Sequence, residues 1–183
     1  AKGIAPHSHG LMRWLQAGQT ERQQVTPALQ AVLSDAQRPR FALAQVHLHA
    51  PLARPGKIVA IGRNYGDHAK ETGLAPFEKP RIISKMPSSV CDPNATIPIP
   101  GDVKKMDFEA ELAVVIGELA QGVSKENALQ HVAGYTCLND LSAREFQFDI
   151  NPAQTTFAKS MDGFCPLGPW LVTADDITDP APH

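Results

Sequence analysis

The segment Asp107-Phe-Glu-Ala-Glu-Leu-Ala-Val-Val-Ile-Gly117 places acids at every second position and then runs into unbroken apolar residues. Side chains of a β-strand alternate between its faces, so Asp107, Glu109 and Glu111 share one side. The other side carries Phe108, Ala110, Leu112, Val114 and Ile116, an apolar stripe expected to be packed. Beyond the acids their own face also turns apolar, at Ala113 and Val115. Carboxylates crowded beside a core repel one another unless protons or a cation come between them. Hard divalent ions such as Mg²⁺ choose oxygen ligands of this kind. The plainer alternative is an edge strand whose first residues are solvated.

A second acid follows in Gly134-Tyr-Thr-Cys-Leu-Asn-Asp-Leu-Ser-Ala-Arg-Glu-Phe-Gln147. Tyr135 to Leu138 reads as a short strand, Asn139-Asp140 ends it, and Ser142 is a candidate cap for a following helical turn. Asp140, Arg144 and Gln147 thus put an acid, a fixed cation and an amide in one short stretch. An Asx-type turn with an internal ion pair accounts for the same residues without a function.

With 183 residues the chain is long enough for one domain with a real core and too short for two ordinary ones. Lys+Arg total 17 against 19 Asp+Glu, which leaves no basic field for nucleic acid or an anionic membrane. Apolar runs fall short of a bilayer span, and the N-terminus carries no signal-peptide pattern. Cys91, Cys137 and Cys165 fit buried free thiols in a reducing compartment rather than a disulfide framework or a zinc site. A cytoplasmic location is therefore expected. Sixteen prolines call for numerous loops.

Residues 1 to 40 look helical, with Thr26-Pro27 as N-cap and first turn and Ala28, Leu29, Val32 and Leu33 as an apolar stripe. Phe41 to Leu52 alternates loosely, and His47 and His49 read as solvent-facing strand residues rather than metal ligands. Lys57 to Gly62 reads as a buried strand and Pro80 to Met86 as another. Ser124 is expected to cap a short amphipathic helix through Ala133, with Gly134 as its stop. Phe148 to Gln154 reads as a mobile loop, and Phe157 to Asp162 and Trp170 to Thr173 as strands. Frequent strands with short helices between them indicate an α+β domain, mostly β.

On the helix expected after Tyr65, His68 and Glu71 are neighbours three residues apart. A carboxylate beside an imidazole orients it and raises its basicity, as a general base near neutral pH requires, although a surface helix pair has the same spacing. Lys159, on its expected strand, is either a lysine reaching to solvent or a partner for a developing anion. Nucleotide-binding glycine motifs, a nucleophile elbow and an H-E-x-x-H helix are all absent from the sequence.

Four blocks together carry a family resemblance: Gly62 to Glu71, Asp107 to Gly117, Gly134 to Gln147 and Lys159 to Trp170. In this order they resemble the fumarylacetoacetate hydrolase family. The resemblance implies a mixed β-roll like that family's C-terminal domain, over residues 51–183, preceded by a helical and stranded extension over residues 1–50. It implies that the family domain continues past His183, so the roll is expected to be incomplete here. It implies a Mg²⁺ or Mn²⁺ site, which Ca²⁺ can fill in crystals, with Glu109, Glu111 and Asp140 as ligands and Asp107 just outside them. His68 with Glu71 would activate water from a lid, Lys159 would steady an oxyanion, and Arg63, Tyr65, Arg144 and Gln147 would hold substrate. The implied protein is a homodimer hydrolysing a C–C bond in a small 2-oxo acid such as an acylpyruvate. Decarboxylation or isomerisation of oxo-diacids, and an inactive ligand-binding fragment, are the alternatives.

Overall fold

The computed structural model describes residues 10–17, 19–65, 78–177 and 180. Two helices open the chain, α1 (Gly10–Gln16) and α2 (Gln19–Ser34). Short strands follow: β1 (Ile58–Gly62), β2 (Arg81–Lys85), β3 (Val90–Cys91), β4 (Met106–Asp107), β5 (Ala110–Ile116) and β6 (Val132–Asn139). The described chain continues through β7 (Ser142–Ala143), one helical turn α3 (Thr155–Ala158), β8 (Cys165–Pro166) and β9 (Val172–Thr173). They assemble as four small sheets: β1 with β2, β3 with β8, β4 with β7, and the three-stranded β5-β6-β9. The expected α+β, mostly β architecture is what forms.

The site rests on one kinked antiparallel pairing. Asp107 pairs with Ser142 across β4–β7, and Ala110 pairs with Asn139 across β5–β6. Both ladders keep one register, so the two-residue break leaves Glu109 directly opposite Asp140. The backbone N–H of Asp140 donates to the Glu109 carbonyl at 2.8 Å, and Glu109 N–H donates to Asn139 Oδ1 at 3.1 Å. Strand parity then separates the neighbours. Leu141 and Ala143 enter a core with Val103 and Phe164, while Asp140 and Ser142 turn to the other side.

A second core joins Leu15 of α1 to Leu52 and Leu167, with Ala113 and Val115 packed against it. This reverses one expectation. The Glu111-Ala113-Val115 face of β5 is the covered one, because α1 and Leu167 lie over it. Phe108, Leu112, Val114 and Ile116 face outward, with Phe108 72% and Ile116 57% exposed. The stripe is apolar as read, but among the described residues no element packs on it.

Several local readings also change. Helix α2 starts at Gln19, and Thr26 and Pro27 lie inside it, where Thr26 Oγ1 donates to the Arg22 carbonyl at 2.8 Å. Its Leu29, Val32 and Leu33 are exposed. Residues 41–52 hold a 3₁₀ turn at Leu43–Gln45 instead of a strand. Strand β1 forms as expected but is only half-buried on one face and exposed on the other. The helix after Ser124 is 3₁₀ and stops at His131, and Val132 and Ala133 already belong to β6. Gly134 is therefore a strand residue, and a Cβ there would lie 2.2 Å from the Val172 carbonyl oxygen. Close pairing of β6 with β9 is what requires glycine. Cys165 is buried and Cys91 partly so, but Cys137 is exposed.

Candidate functional site

Lys159 is the centre of the site. It was expected on a strand, but it caps the C-terminal end of α3. From there its ammonium donates to Asp140 Oδ2 at 2.7 Å, Glu109 Oε2 at 2.9 Å and Ser142 Oγ at 2.7 Å. An ammonium has three protons, and all three are used. The side chain is 3% exposed, so it does not reach for solvent. Lys85, which the sequence did not single out, ends β2 and meets the other oxygen of the same acid, Asp140 Oδ1, at 2.9 Å. It also donates to the backbone carbonyl of Lys159. Burial lowers the Lys85 pKa, and the Asp140 carboxylate opposes that shift.

Arg144 forms the open edge. Its Nε and Nη2 grip Asp107 Oδ2 at 3.0 and 2.8 Å, Nη2 also lies 2.6 Å from Glu109 Oε1, and Nη1 donates to Gln147 Oε1 at 2.8 Å. Gln147 sits on a π-helical turn, Glu145–Asp149, that starts just after Arg144. Such turns recur at functional sites because they re-aim side chains. The Arg144 guanidinium holds the Asp107 carboxyl below its ordinary range. Asp107, left outside the metal set in the sequence, is thus the residue that orients Arg144.

Glu111 differs from its neighbours. Burial pushes its carboxyl up; a hydrogen bond with Tyr65 pulls it down, and the charges on Glu109 and Asp140 push it up again. The Tyr65 hydroxyl also accepts the Leu112 backbone N–H at 3.2 Å, which ties the turn after β1 to β5. Arg63 lies in the same turn with φ +55°, a left-handed backbone that is unusual away from glycine. Arg63, Tyr65, Lys85, Glu109, Glu111, Asp140, Arg144, Gln147 and Lys159 all line one open cavity of about 1270 Å³. His68 and Glu71 lie outside the described residues.

The donor set fits a hard divalent cation in charge and chemistry. Three carboxylates face one cavity, two of them already grip a cationic ammonium, and the third has its pKa pushed up mainly by burial and also by the charges of the other two. The three do not converge on a common point. Among the described residues, the one group of His, Cys, Asp or Glu whose ligand atoms lie within 4.8 Å of one another is elsewhere, at His47, His49 and Asp92.

Residues 57–182 match the family model described as the fumarylacetoacetate (FAA) hydrolase C-terminal domain. The chain belongs to this family. Among its relatives is a protein of Xenopus laevis named as a mitochondrial oxaloacetate tautomerase, 39% identical over 170 residues, 93% of this chain and 52% of that protein. A human protein named as a mitochondrial oxaloacetate tautomerase is 42% identical over 145 residues, 79% of this chain and 46% of its own length. The chain thus spans about half the length of the curated relatives it matches. Among solved structures of the family, a maleylpyruvate hydrolase from Sphingobium sp. SYK-6, in complex with manganese(II) and pyruvate, is 29% identical with a TM-score of 0.73. The match covers 94% of this chain and 57% of that one. A 5-carboxymethyl-2-hydroxymuconate delta-isomerase from Mycobacterium smegmatis is 41% identical with a TM-score of 0.63, over 74% of this chain and 53% of that one. The family and fold stand as the resemblance implied. The names of the relatives lean away from hydrolysis and toward the isomerase alternative. Among the described residues no helix is long and apolar enough to cross a membrane.

Proposed function

We propose that this chain carries the site of a keto–enol tautomerase acting on a small 2-oxo diacid of the oxaloacetate type. The observation that carries the reading is the Lys159 ammonium, buried between Glu109 and Asp140 and flanked by Arg144 and Gln147 in one cavity. That arrangement gathers an ammonium, a guanidinium and an amide around one cavity, donors suited to a developing enolate oxygen and a substrate carboxylate once they exchange their present partners. Relatives at 39% and 42% identity named for oxaloacetate tautomerisation support the choice of reaction.

Tautomerisation takes one proton from C3, moves that bond's electron pair into a C2–C3 double bond, and adds one proton at the 2-oxo oxygen. Lys159 is assigned to that oxygen, a role that requires one of its three protons to be released from Glu109, Asp140 or Ser142 when substrate enters. Arg144, held by Asp107, is assigned to a substrate carboxylate, with Gln147 beside it, and Arg63 and Tyr65 line the same cavity. The C3 proton is assigned to His68 with Glu71, on the family resemblance alone. Glu109, Glu111 and Asp140 are the residues that would hold Mg²⁺ or Mn²⁺, which when bound supplies Lewis-acid polarisation of the 2-oxo group. Hydrolysis of an acylpyruvate is the second reading, favoured by the maleylpyruvate hydrolase likeness. A homodimer is part of the proposal, supported by an apolar face of β5 on which no described element packs.

The test offers enol oxaloacetate and an acylpyruvate in parallel, with Mg²⁺, and follows enol absorbance, CO₂ and free carboxylic acid. Accelerated loss of enol without CO₂ is expected. Release of a carboxylic acid from the acylpyruvate, with no effect on the enol, would replace the tautomerase by the hydrolase.

A further inference from the structure

His47 and His49 lie two residues apart in a segment outside any helix or strand, and both rings turn to the same acceptor. His47 Nε2 and His49 Nδ1 each stand 3.0 Å from Asp92 Oδ2. The rings meet edge to face with centroids 4.8 Å apart. Asp92 directly follows β3, which is paired to β8, so its backbone is anchored in a sheet. Its second oxygen, Oδ1, accepts the Ala50 N–H at 2.9 Å, which fixes the carboxylate plane. The sequence reading of these histidines as separate solvent-facing residues thus missed their common partner, because Asp92 is more than forty residues away along the chain.

We infer that His47, His49 and Asp92 form a second metal site, specific for a divalent transition ion of the Zn²⁺ type and distinct from the carboxylate cavity. Two ligand atoms about 2.1 Å from one tetrahedral ion stand roughly 3.4 Å apart. Each nitrogen-to-oxygen separation, 3.0 Å, is within a few tenths of an ångström of that spacing. Two imidazoles and one carboxylate are a zinc ligand set, and the Ala50 N–H on the far oxygen is the outer contact such ligands use for orientation. Imidazole nitrogen suits Zn²⁺, Cu²⁺ and Ni²⁺ and is poorly matched to Mg²⁺, so the two sites select different ions. Both histidines are exposed, so an ion enters from solvent without opening the fold. Bound there, it links residues 47–49 to the end of β3.

Isothermal titration of the full chain with Zn²⁺, in saturating Mg²⁺ to occupy the carboxylates, tests the assignment. One Zn²⁺ per chain is expected for the parent protein and for Glu111→Gln. Binding should be lost in His47→Ala and in His49→Ala, and circular dichroism should show both variants folded. Co²⁺ should give the intense visible bands of a tetrahedral ion in the parent protein and in Glu111→Gln, and in neither histidine variant. Failure of the parent chain to bind Zn²⁺ under these conditions overturns the site. So does binding that survives the His47→Ala/His49→Ala double variant, and binding that depends on one histidine alone removes the three-ligand assignment.

Discussion

The Lys85 ammonium lies 2.9 Å from Oδ1 of Asp140, and both side chains are almost closed to water. Lys159 holds the other oxygen of the same acid, so a single carboxylate is clamped between two lysines. Three elements distant in sequence, β2, the end of β6 and the turn after α3, are joined at that point. Removing one partner of a buried pair leaves the other charge uncompensated, typically at a cost of about 3–5 kcal/mol. With Lys159 still on Asp140, Lys85→Met is expected at the lower end, about 3 kcal/mol. Urea denaturation checks this, and a loss below about 1 kcal/mol would show that Lys85 is a spectator.

Glu111→Gln should stabilise the metal-free protein at neutral pH. The sign follows from its raised carboxyl pKa, above the ordinary 4.5. Below 4.5 the group is neutral in both folded and unfolded chains and contributes nothing. As pH climbs from there through the raised folded value, the unfolded chain ionises first and the fold is penalised. Above that value the penalty is constant, and glutamine removes it. Melting temperatures across this range should therefore diverge upward for the variant as pH rises. Mg²⁺ should raise the melting temperature of the parent protein and have little effect on the variant. Equal pH profiles for the two proteins would remove the burial penalty on Glu111, and an equal Mg²⁺ response would remove Glu111 from the metal set.

Glu109→Ala is a different case from the one its position in the sequence suggests. Crowding of carboxylates alone would make loss of its charge a relief, but Glu109 already neutralises Lys159 and Arg144. The substitution should abolish Mg²⁺-dependent activity and also lower the melting temperature in the absence of metal. A metal-free melting temperature equal to that of the parent would restore the simpler view.

Glu109 and Asp140 were legible because strand alternation and a strand-ending Asn-Asp are local signals. Their direct opposition needed the β4–β7 and β5–β6 register, but each acid was identifiable alone. Lys85 was not legible. It alternates with Ile83 on a five-residue strand, where a lysine ordinarily extends to water. Only contacts with Asp140 and the Lys159 carbonyl, 55 and 74 residues away, bury it. Phe157 and Thr156 favour a strand before Lys159 by propensity, yet Ala158 N–H bonds back to the Gln154 carbonyl and a helical turn forms. Which face of β5 is covered also lay beyond the strand itself, since alternation marks two faces without saying where α1 will dock.

Arg144→Lys should impair substrate binding far more than folding. A lysine cannot reproduce the fork that meets Asp107, Glu109 and Gln147 together. The expected result is a KM about tenfold higher with a smaller change in kcat, as for loss of a binding contact. Asp107→Asn should move KM in the same direction by less, because it loosens Arg144 without removing it. A large fall in kcat at unchanged KM would place Arg144 in the chemical step instead.

The N-terminal helix offers the remaining test. Leu15 is 4% exposed and packs with Leu52 and Leu167 over the Ala113 and Val115 side of β5. Arg22 secures the neighbourhood: its guanidinium lies 5.7 Å from the Trp14 ring centroid and 3.0 Å from Glu118 just past β5. Glu111, two residues from Ala113, lies on the same face of β5 and is half-buried. Leu15→Ala should therefore cost about 2–5 kcal/mol, the range for a buried leucine truncated to alanine. It should also lower the Glu111 pKa toward its ordinary value by admitting water. Denaturation and the pH dependence of Mg²⁺ binding read the two effects separately. A loss of stability with no change in the pH profile would mean that α1 braces the core without shaping the site.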